Sequence, residues 1–174
     1  MGQKSSVIFT IGHGTKSTDE FVGLLKTYEV QTVVDVRTVP KSRHNPQFNK
    51  EVLPESLKKA RIGYIHIKGL GGLRHARQDS VNTAWRNVPF RGFADYMKTE
   101  DFRQNIERLI ELAEQTKIAV MCAESVPRRC HRSLIADALF VRGIKVKHIM
   151  SQETCQEHEL TPWAEVEGFQ EGYP

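Results

Sequence analysis

Apolar positions along the chain switch repeatedly between two periods. Residues 7–11 (V-I-F-T-I) form a short β-rich run that Gly12, His13 and Gly14 close with turn chemistry. Phe21, Leu24, Leu25 and Tyr28 then recur at helical spacing, with Thr18 as the expected N-cap and Asp19 and Glu20 in the first turn, where the helix dipole favours acids. Residues 32–36 (T-V-V-D-V) predict a buried strand. Residues 50–61 predict a helix with Val52, Leu53, Leu57 and Ala60 on one face and Pro54 in its first turn. Tyr64, Ile65, His66 and Ile67 predict a third strand after Gly63. Residues 78–91, with Trp85, carry little periodic signal and read as an irregular connection; Phe93, Tyr96 and Met97 then open a helical face. The strongest helix spans residues 99–115, where Phe102, Ile106, Leu109, Ile110 and Ala113 form one stripe. Residues 118–121 predict a fourth strand. Residues 128–142 predict a helix with Leu134, Ile135, Ala138 and Leu139 as its apolar face and Gly143 as its stop, and residues 144–150 (I-K-V-K-H-I-M) predict a fifth strand.

Strands alternating with helices imply parallel pairing and right-handed crossovers. The expected fold is therefore α/β, with three layers: a mostly parallel five-stranded sheet and helices on both faces, Rossmann-like or rhodanese-like. A single α/β domain is expected over residues 1–150, with residues 151–174 as an acidic tail packing on it or trailing from it, anchored weakly by Trp163. Sheets of this kind bind ligands at the carboxyl ends of their strands. That rule selects His13, Asp35, Arg37, Arg74, Cys122 and Arg128 as neighbours along one rim.

Composition excludes several classes. The chain of 174 residues is 39% hydrophobic and 26% charged, ordinary for a globular domain. It has no apolar run of about 18 residues and no long apolar leader at its start, so no membrane association is expected and a cytoplasmic setting is. Three cysteines, Cys122, Cys130 and Cys155, are too few and too odd in number for a disulfide scaffold. The tail carries six acids and no Lys or Arg; set against the whole chain's +4, those six negative charges leave +10 on residues 1–150. Ten Lys and Arg crowd residues 35–77, either as solvated surface or as a field for phosphate or nucleic acid.

The chemistry-bearing stretch is residues 118–131, I-A-V-M-C-A-E-S-V-P-R-R-C-H. Cys122 ends a strand before a helix start rich in guanidiniums, a setting that favours thiolate; a half-buried structural cysteine is the competing reading. Cys122 and Arg128 have the C-x5-R spacing of cysteine phosphatases, but the loop lacks glycine, contains Pro127 and holds Glu124, which would repel phosphate. Cys130, His131 and Arg132 are expected in the first helical turn, where an anion would relieve the crowding of cations. A redox pair of Cys122 with Cys130 and a metal site from Cys122, Cys130 and His131, with or without His13, are further options, although the two cysteines are expected to diverge. Asp35 and Arg37 lie two apart on a strand and share a face; His13, flanked by glycines, is expected to be exposed for proton transfer.

Four motifs together carry a resemblance: T-I-G-H-G at residues 10–14, D-V-R-T-V-P-K-S-R at 35–43, Y-I-H-I-K-G-L-G-G at 64–72 and C-A-E-S-V-P-R-R-C-H-R at 122–132. In them the chain resembles the family called domain of unknown function 488, over about residues 7–150. The resemblance implies one α/β domain and brings no activity. A looser likeness to rhodanese-type sulfurtransferases and the phosphatases that share their fold rests on Asp35-Val36-Arg37 and on Cys122 to Ser133.

The leading expectation is an enzyme, hydrolase or transferase, acting on an anionic, phosphate- or nucleotide-containing molecule. Cys122 is the expected nucleophile or sulfur carrier, Asp35 or Glu124 the acid/base, with His13 assisting, and Arg37, Arg43, Arg74, Arg128, Cys130, His131 and Arg132 the substrate-binding set. No metal or cofactor is expected. The alternatives are a nucleic-acid-binding or -processing protein that uses basic residues 37–77, and a metal or redox module.

Overall fold

A computed structural model describes residues 7–85, 87–167 and 170–174. Among them, in chain order, lie β1 (Val7–Gly12), α1 (Thr18–Thr27), β2 (Thr32–Asp35), α2 (Leu53–Lys59), β3 (Gly63–His66), α3 (Val88–Tyr96), α4 (Glu100–Gln115), β4 (Ile118–Cys122), α5 (Arg132–Val141), β5 (Lys145–Ile149), β6 (Cys155–Glu157), β7 (Glu165–Glu167) and β8 (Gln170–Gly172). No helix is long and apolar enough to cross a membrane among the described residues.

Local chemistry explains where the helices begin. The N-cap of α1 is Ser17, one residue before the expected Thr18: its hydroxyl accepts from the Glu20 amide at 3.1 Å while the Glu20 carboxylate reaches back to the Ser17 amide, a complete capping box. The stretch expected to be irregular hides the start of α3, set by Asn87, whose side chain accepts from the Phe90 amide, and by Pro89 in the first turn. The largest departure is at α5. Pro127–Arg129 form a separate 3-10 turn, Cys130 is extended (φ −124°, ψ 147°), and the helix begins only at Arg132. The extended backbone of Cys130 is what separates that turn from the helix and stops α5 from reaching back to residue 128.

The main sheet runs β3-β2-β4-β1-β5-β6. The first five strands are parallel, and β6 pairs antiparallel to β5 at the edge, so the sheet has six strands where five were expected. The extra strand comes from the acidic tail, whose remaining part pairs as the β7–β8 hairpin and buries Tyr173. Alternate strand residues enter two separate apolar clusters. Ile8, Val34 and Val120 join Phe93, Phe102, Ile106 and Leu134 from α3, α4 and α5; Phe9, Ile11, Val33, Ala119 and Met121 join Phe21, Leu25 and Leu57 from α1 and α2.

The pairing of β1 with β4 continues past both strand ends. Gly12 is in register with Cys122, and the amides of His13 and Gly14 donate to the carbonyls of Cys122 and Ala123, each at 2.9 Å. The two loops touch so closely that a Cβ on Gly12 would meet the Glu124 carbonyl oxygen at 2.0 Å and its carbon at 2.6 Å. Those atoms are backbone and have no rotamer to change. Gly12→Ala is therefore expected to lower stability by about 1–3 kcal/mol, as overpacking does. Urea unfolding checks it: the midpoint should fall at unchanged slope, and an unchanged midpoint would refute the close approach.

Candidate functional site

Asp35, at the end of β2, is fully buried, and both its oxygens are occupied. Oδ1 accepts from the backbone amide and Nε of Arg37, and Oδ2 accepts from Nη2 of Arg37 at 2.7 Å and from the Tyr64 hydroxyl. Arg37 also donates to the Phe48 carbonyl at 2.7 Å. Asp35 thus locks Arg37 in place, and its carboxylate does not reach the cavity described below, unlike the acid/base expected of it. The Tyr64 hydroxyl is correspondingly hard to ionise, through burial and then its bond to Asp35.

His13 is buried, not exposed. Its ring stacks on Phe48 (4.3 Å between centroids, 16° between planes). Nδ1 lies 2.8 Å from the Gly14 carbonyl and Nε2 lies 3.4 Å from Nη1 of Arg37, an arrangement met by a neutral ring donating through Nδ1. Burial, countered in part by the Gly14 bond and reinforced by the Arg37 charge, lowers its pKa below 6.5.

Cys122 and Cys130, expected to diverge, meet. Their Sγ atoms are 2.6 Å apart, with the Cys130 thiol donating to the Cys122 sulfur, and both are buried. The separate 3-10 turn is the reason: it swings Cys130 back over the end of β4 instead of placing it on a helix. Burial alone would raise the Cys122 pKa. It is outweighed by the hydrogen bond from Cys130, the charge of Arg132 and a backbone hydrogen bond at Glu124, so the thiol sits below the ordinary value of a free cysteine. Burial, the bond it gives to Cys122 and the charge there push Cys130 well above that value. Of the pair, Cys122 is the sulfur more readily ionised and Cys130 the one that holds its proton.

His131 stands behind Cys130. Its Nε2 is 3.0 Å from the carbonyls of both Val36 and Leu70, so the proton belongs on Nε2 and the lone pair of Nδ1 faces Cys130 Sγ at 3.5 Å. Burial lowers its pKa to about 4 against those two bonds. Arg132 is only 1% exposed; Nη2 donates to the Ser125 carbonyl at 3.3 Å, while buried Nε and Nη1 have no hydrogen-bond partner. Its charge bears on both thiols and on Lys16, whose pKa falls through burial and then through Arg132. The expected anion seat on the first-turn amides of α5 is filled from within. The Arg132 amide donates to Cys130 Sγ, that of Ser133 to the Cys130 carbonyl, and those of Leu134 and Ile135 to the His131 carbonyl.

A cavity of about 370 Å³ opens onto the dithiol. It is lined by His13, Arg37, Cys122, Glu124, Cys130 and His131 from the expected set, with Lys41, Ser42 and Arg129 added. Glu124 is exposed, and Oε1 accepts the Val126 amide at 3.1 Å. Arg43 is exposed away from this wall, which Lys41 and Ser42 occupy instead. Arg74 lies over the Tyr96 ring at 3.7 Å and donates to the carbonyls of Gly69 and Gly71, a structural use. Arg128 faces a second cavity of about 680 Å³ with Trp85, His148, His158 and Trp163. Consecutive arginines of one turn thus face different cavities, which a helical reading of residues 128–132 could not separate. Among the described residues no group of three or more His, Cys, Asp or Glu is arranged to hold a metal ion.

The family model for a domain of unknown function, DUF488, matches residues 17–139, well over half the chain. The chain belongs to the DUF488 family. No curated protein and no solved structure matches it. The matched range contains Asp35, Arg37 and the whole stretch from Cys122 to Arg132, and leaves out β1 with His13.

Beside the dithiol, this DUF488 chain holds a second polar system that the sequence reading missed. Thr10 Oγ1 is 2.6 Å from His148 Nδ1, His148 Nε2 is 2.9 Å from His158 Nδ1, and His158 Nε2 is 2.8 Å from Asp137 Oδ1. Asp137 also accepts from the amide and hydroxyl of Thr161 and from the Tyr173 hydroxyl. An aspartate inside the apolar face of α5 was the available signal. The network ties the centre of the sheet to the carboxy-terminal segment. Burial and then the neighbouring His158 lower the His148 pKa to about 3.

Two tests follow. Asp137→Ala strands several buried donors, each costing about 1–3 kcal/mol. It should lower stability by at least that amount in urea melts while leaving Cys122 reactivity unchanged. The second concerns acid. His13, His131 and His148 all have folded pKa values below the unfolded 6.5, so their contribution is complete above that pH and is lost as pH falls through 6.5 towards about 4 for His131 and about 3 for His148. Stability should fall with acid over this window, and His131→Asn should make the fall shallower; identical pH profiles would refute a neutral buried His131.

Proposed function

We propose that this DUF488 domain is a thiol-dependent enzyme in which Cys122 is the nucleophile, or sulfur carrier, towards a small anionic substrate that contains phosphate or a nucleotide. One observation carries the reading: Cys122 lines a cavity while its sulfur accepts a hydrogen bond from the Cys130 thiol, the two sulfurs 2.6 Å apart. A structural cysteine needs no such donor. The buried, carboxylate-free guanidinium of Arg132 supplies the counter-charge that a thiolate requires. With Arg37 neutralised by Asp35, Lys41 and Arg129 still give the cavity two cations against the single carboxylate of Glu124, the polarity an anion would meet. In this scheme Glu124 is the acid/base, because Asp35 is spent on Arg37. Hydrolysis and group transfer both begin with the same attack, the bond to the leaving group breaking as the bond to sulfur forms. A cytoplasmic setting would keep both thiols reduced.

The finer reading of the fold is three-layered and rhodanese-like. The dinucleotide-binding order 3-2-1-4-5-6 places β1 beside β2, whereas here β4 lies between them.

Alkylation tests the nucleophile. In a Cys155→Ser background, the pH dependence of iodoacetamide labelling should give Cys122 a titration below about 8.5, the free-thiol value. Cys130→Ala removes the donated hydrogen bond and should shift that titration upward, slowing labelling at neutral pH by about tenfold for each unit gained. A Cys122 that titrates at or above the free-thiol value would rule out the proposal.

A further inference from the structure

Cys130 is placed for more than a hydrogen bond. Its sulfur touches that of Cys122 on one side and faces the Nδ1 lone pair of His131, at 3.5 Å, on the other. Nε2 of His131, 3.0 Å from the carbonyls of Val36 and Leu70, keeps the proton at the far side of the ring, so Nδ1 is the free base beside the Cys130 thiol. Cys122 and Cys130 both line the cavity of about 370 Å³, yet these residues are only 2% and 6% exposed, an access suited to a very small molecule. The third thiol is remote. Cys155 lies on β6 and Cys122 on β4, three strand spacings apart in the sheet, about 14 Å at the usual separation of paired strands.

We infer that Cys122 and Cys130 form a dithiol–disulfide centre that reduces small hydroperoxides, with Cys122 as the attacking sulfur and Cys130 as the resolving thiol. The inference rests on the reading of Cys122 as a nucleophile and adds a second activity to it. The Cys122 thiolate attacks one peroxide oxygen. The S–O bond forms as the O–O bond breaks, leaving a sulfenic acid on Cys122, and the other oxygen departs as hydroxide or alkoxide and takes a proton from water. Cys130 then attacks the Cys122 sulfur. The S–S bond forms as the S–O bond breaks, and the Cys130 proton goes to the departing hydroxide, which leaves as water. Two thiols give up two electrons, and the peroxide takes them to become water and an alcohol, or two waters from hydrogen peroxide. A dithiol such as dithiothreitol returns the pair to its reduced form. Because the sulfurs are already in contact, closure needs no unfolding of the loop between them.

The test uses the reduced full-length protein, freed of reductant, with hydrogen peroxide as the probe. Intact mass should fall by two hydrogen atoms. Peptide mapping should place the bond between Cys122 and Cys130, dithiothreitol should reverse it, and Cys155 should remain alkylatable. With dithiothreitol present, the wild type should consume many equivalents of peroxide. Cys130→Ser should stop at a sulfenic acid on Cys122 that dimedone captures, and Cys122→Ser should give neither product. An absent bond in the wild type, a bond that includes Cys155, or a dimedone adduct on Cys130 would overturn the inference. The wild-type mass does not depend on any variant folding. If Cys122 titrates low but no disulfide forms, the nucleophile stands and only the hydroperoxide activity falls; if it titrates at the free-thiol value, both fall.

Discussion

The contact on which the site depends is backbone on backbone. β1 and β4 stay paired beyond their strand ends, with His13 and Gly14 donating to Cys122 and Ala123 and with Gly12 pressed against the Glu124 carbonyl. That zipper fixes where the chain leaves β4 and hence where the Cys122 sulfur points. It also brings the β1 turn, with His13 and Lys16, to the loop that carries Ser125 and Arg132. Few side chains at the site choose their own position. Asp35 sets Arg37, Arg37 sets His13, and two backbone carbonyls set His131. Such a site is rigid because each polar group is held by a neighbour that is itself held.

Charge is arranged with equal economy. The guanidiniums of Arg37 and Arg132 are both buried, but only Arg37 has a carboxylate partner. A buried cation without an anion is costly, and it persists where something negative forms beside it. The sulfur of Cys122 is the group on hand. The lowered pKa of one thiol and the burial of one arginine are then two descriptions of a single electrostatic arrangement, with Cys130 as hydrogen-bond donor completing it.

The sequence showed the alternation of strands and helices and the residues at the strand ends, because period and turn chemistry are local properties. It did not show which groups would satisfy one another. Asp35 and Arg37 read as a shared face open to substrate, and they bind each other instead. Cys130, His131 and Arg132 read as consecutive helical residues, from which divergence follows at about 100° per step; one proline-led 3-10 turn changes that geometry and joins the two sulfurs. Arg132 read as one of the substrate-binding cations, and its burial follows from packing that no local pattern encodes. The link from Asp137 to His158 and Tyr173 spans residues far apart in sequence, and the tail that supplies them lacks periodicity.

The reach of that last network changes what the boundaries of the family match mean. Residues 17–139 hold the two thiols and their neighbours, but β1, the strand that joins β4 to β5, lies before them, and Tyr173, which hydrogen-bonds Asp137, comes after. A fragment cut at those limits would keep both cysteines while losing the strand that aims one of them and the side chains that satisfy the aspartate of α5. The recurring unit and the folding unit of this protein are different lengths of chain.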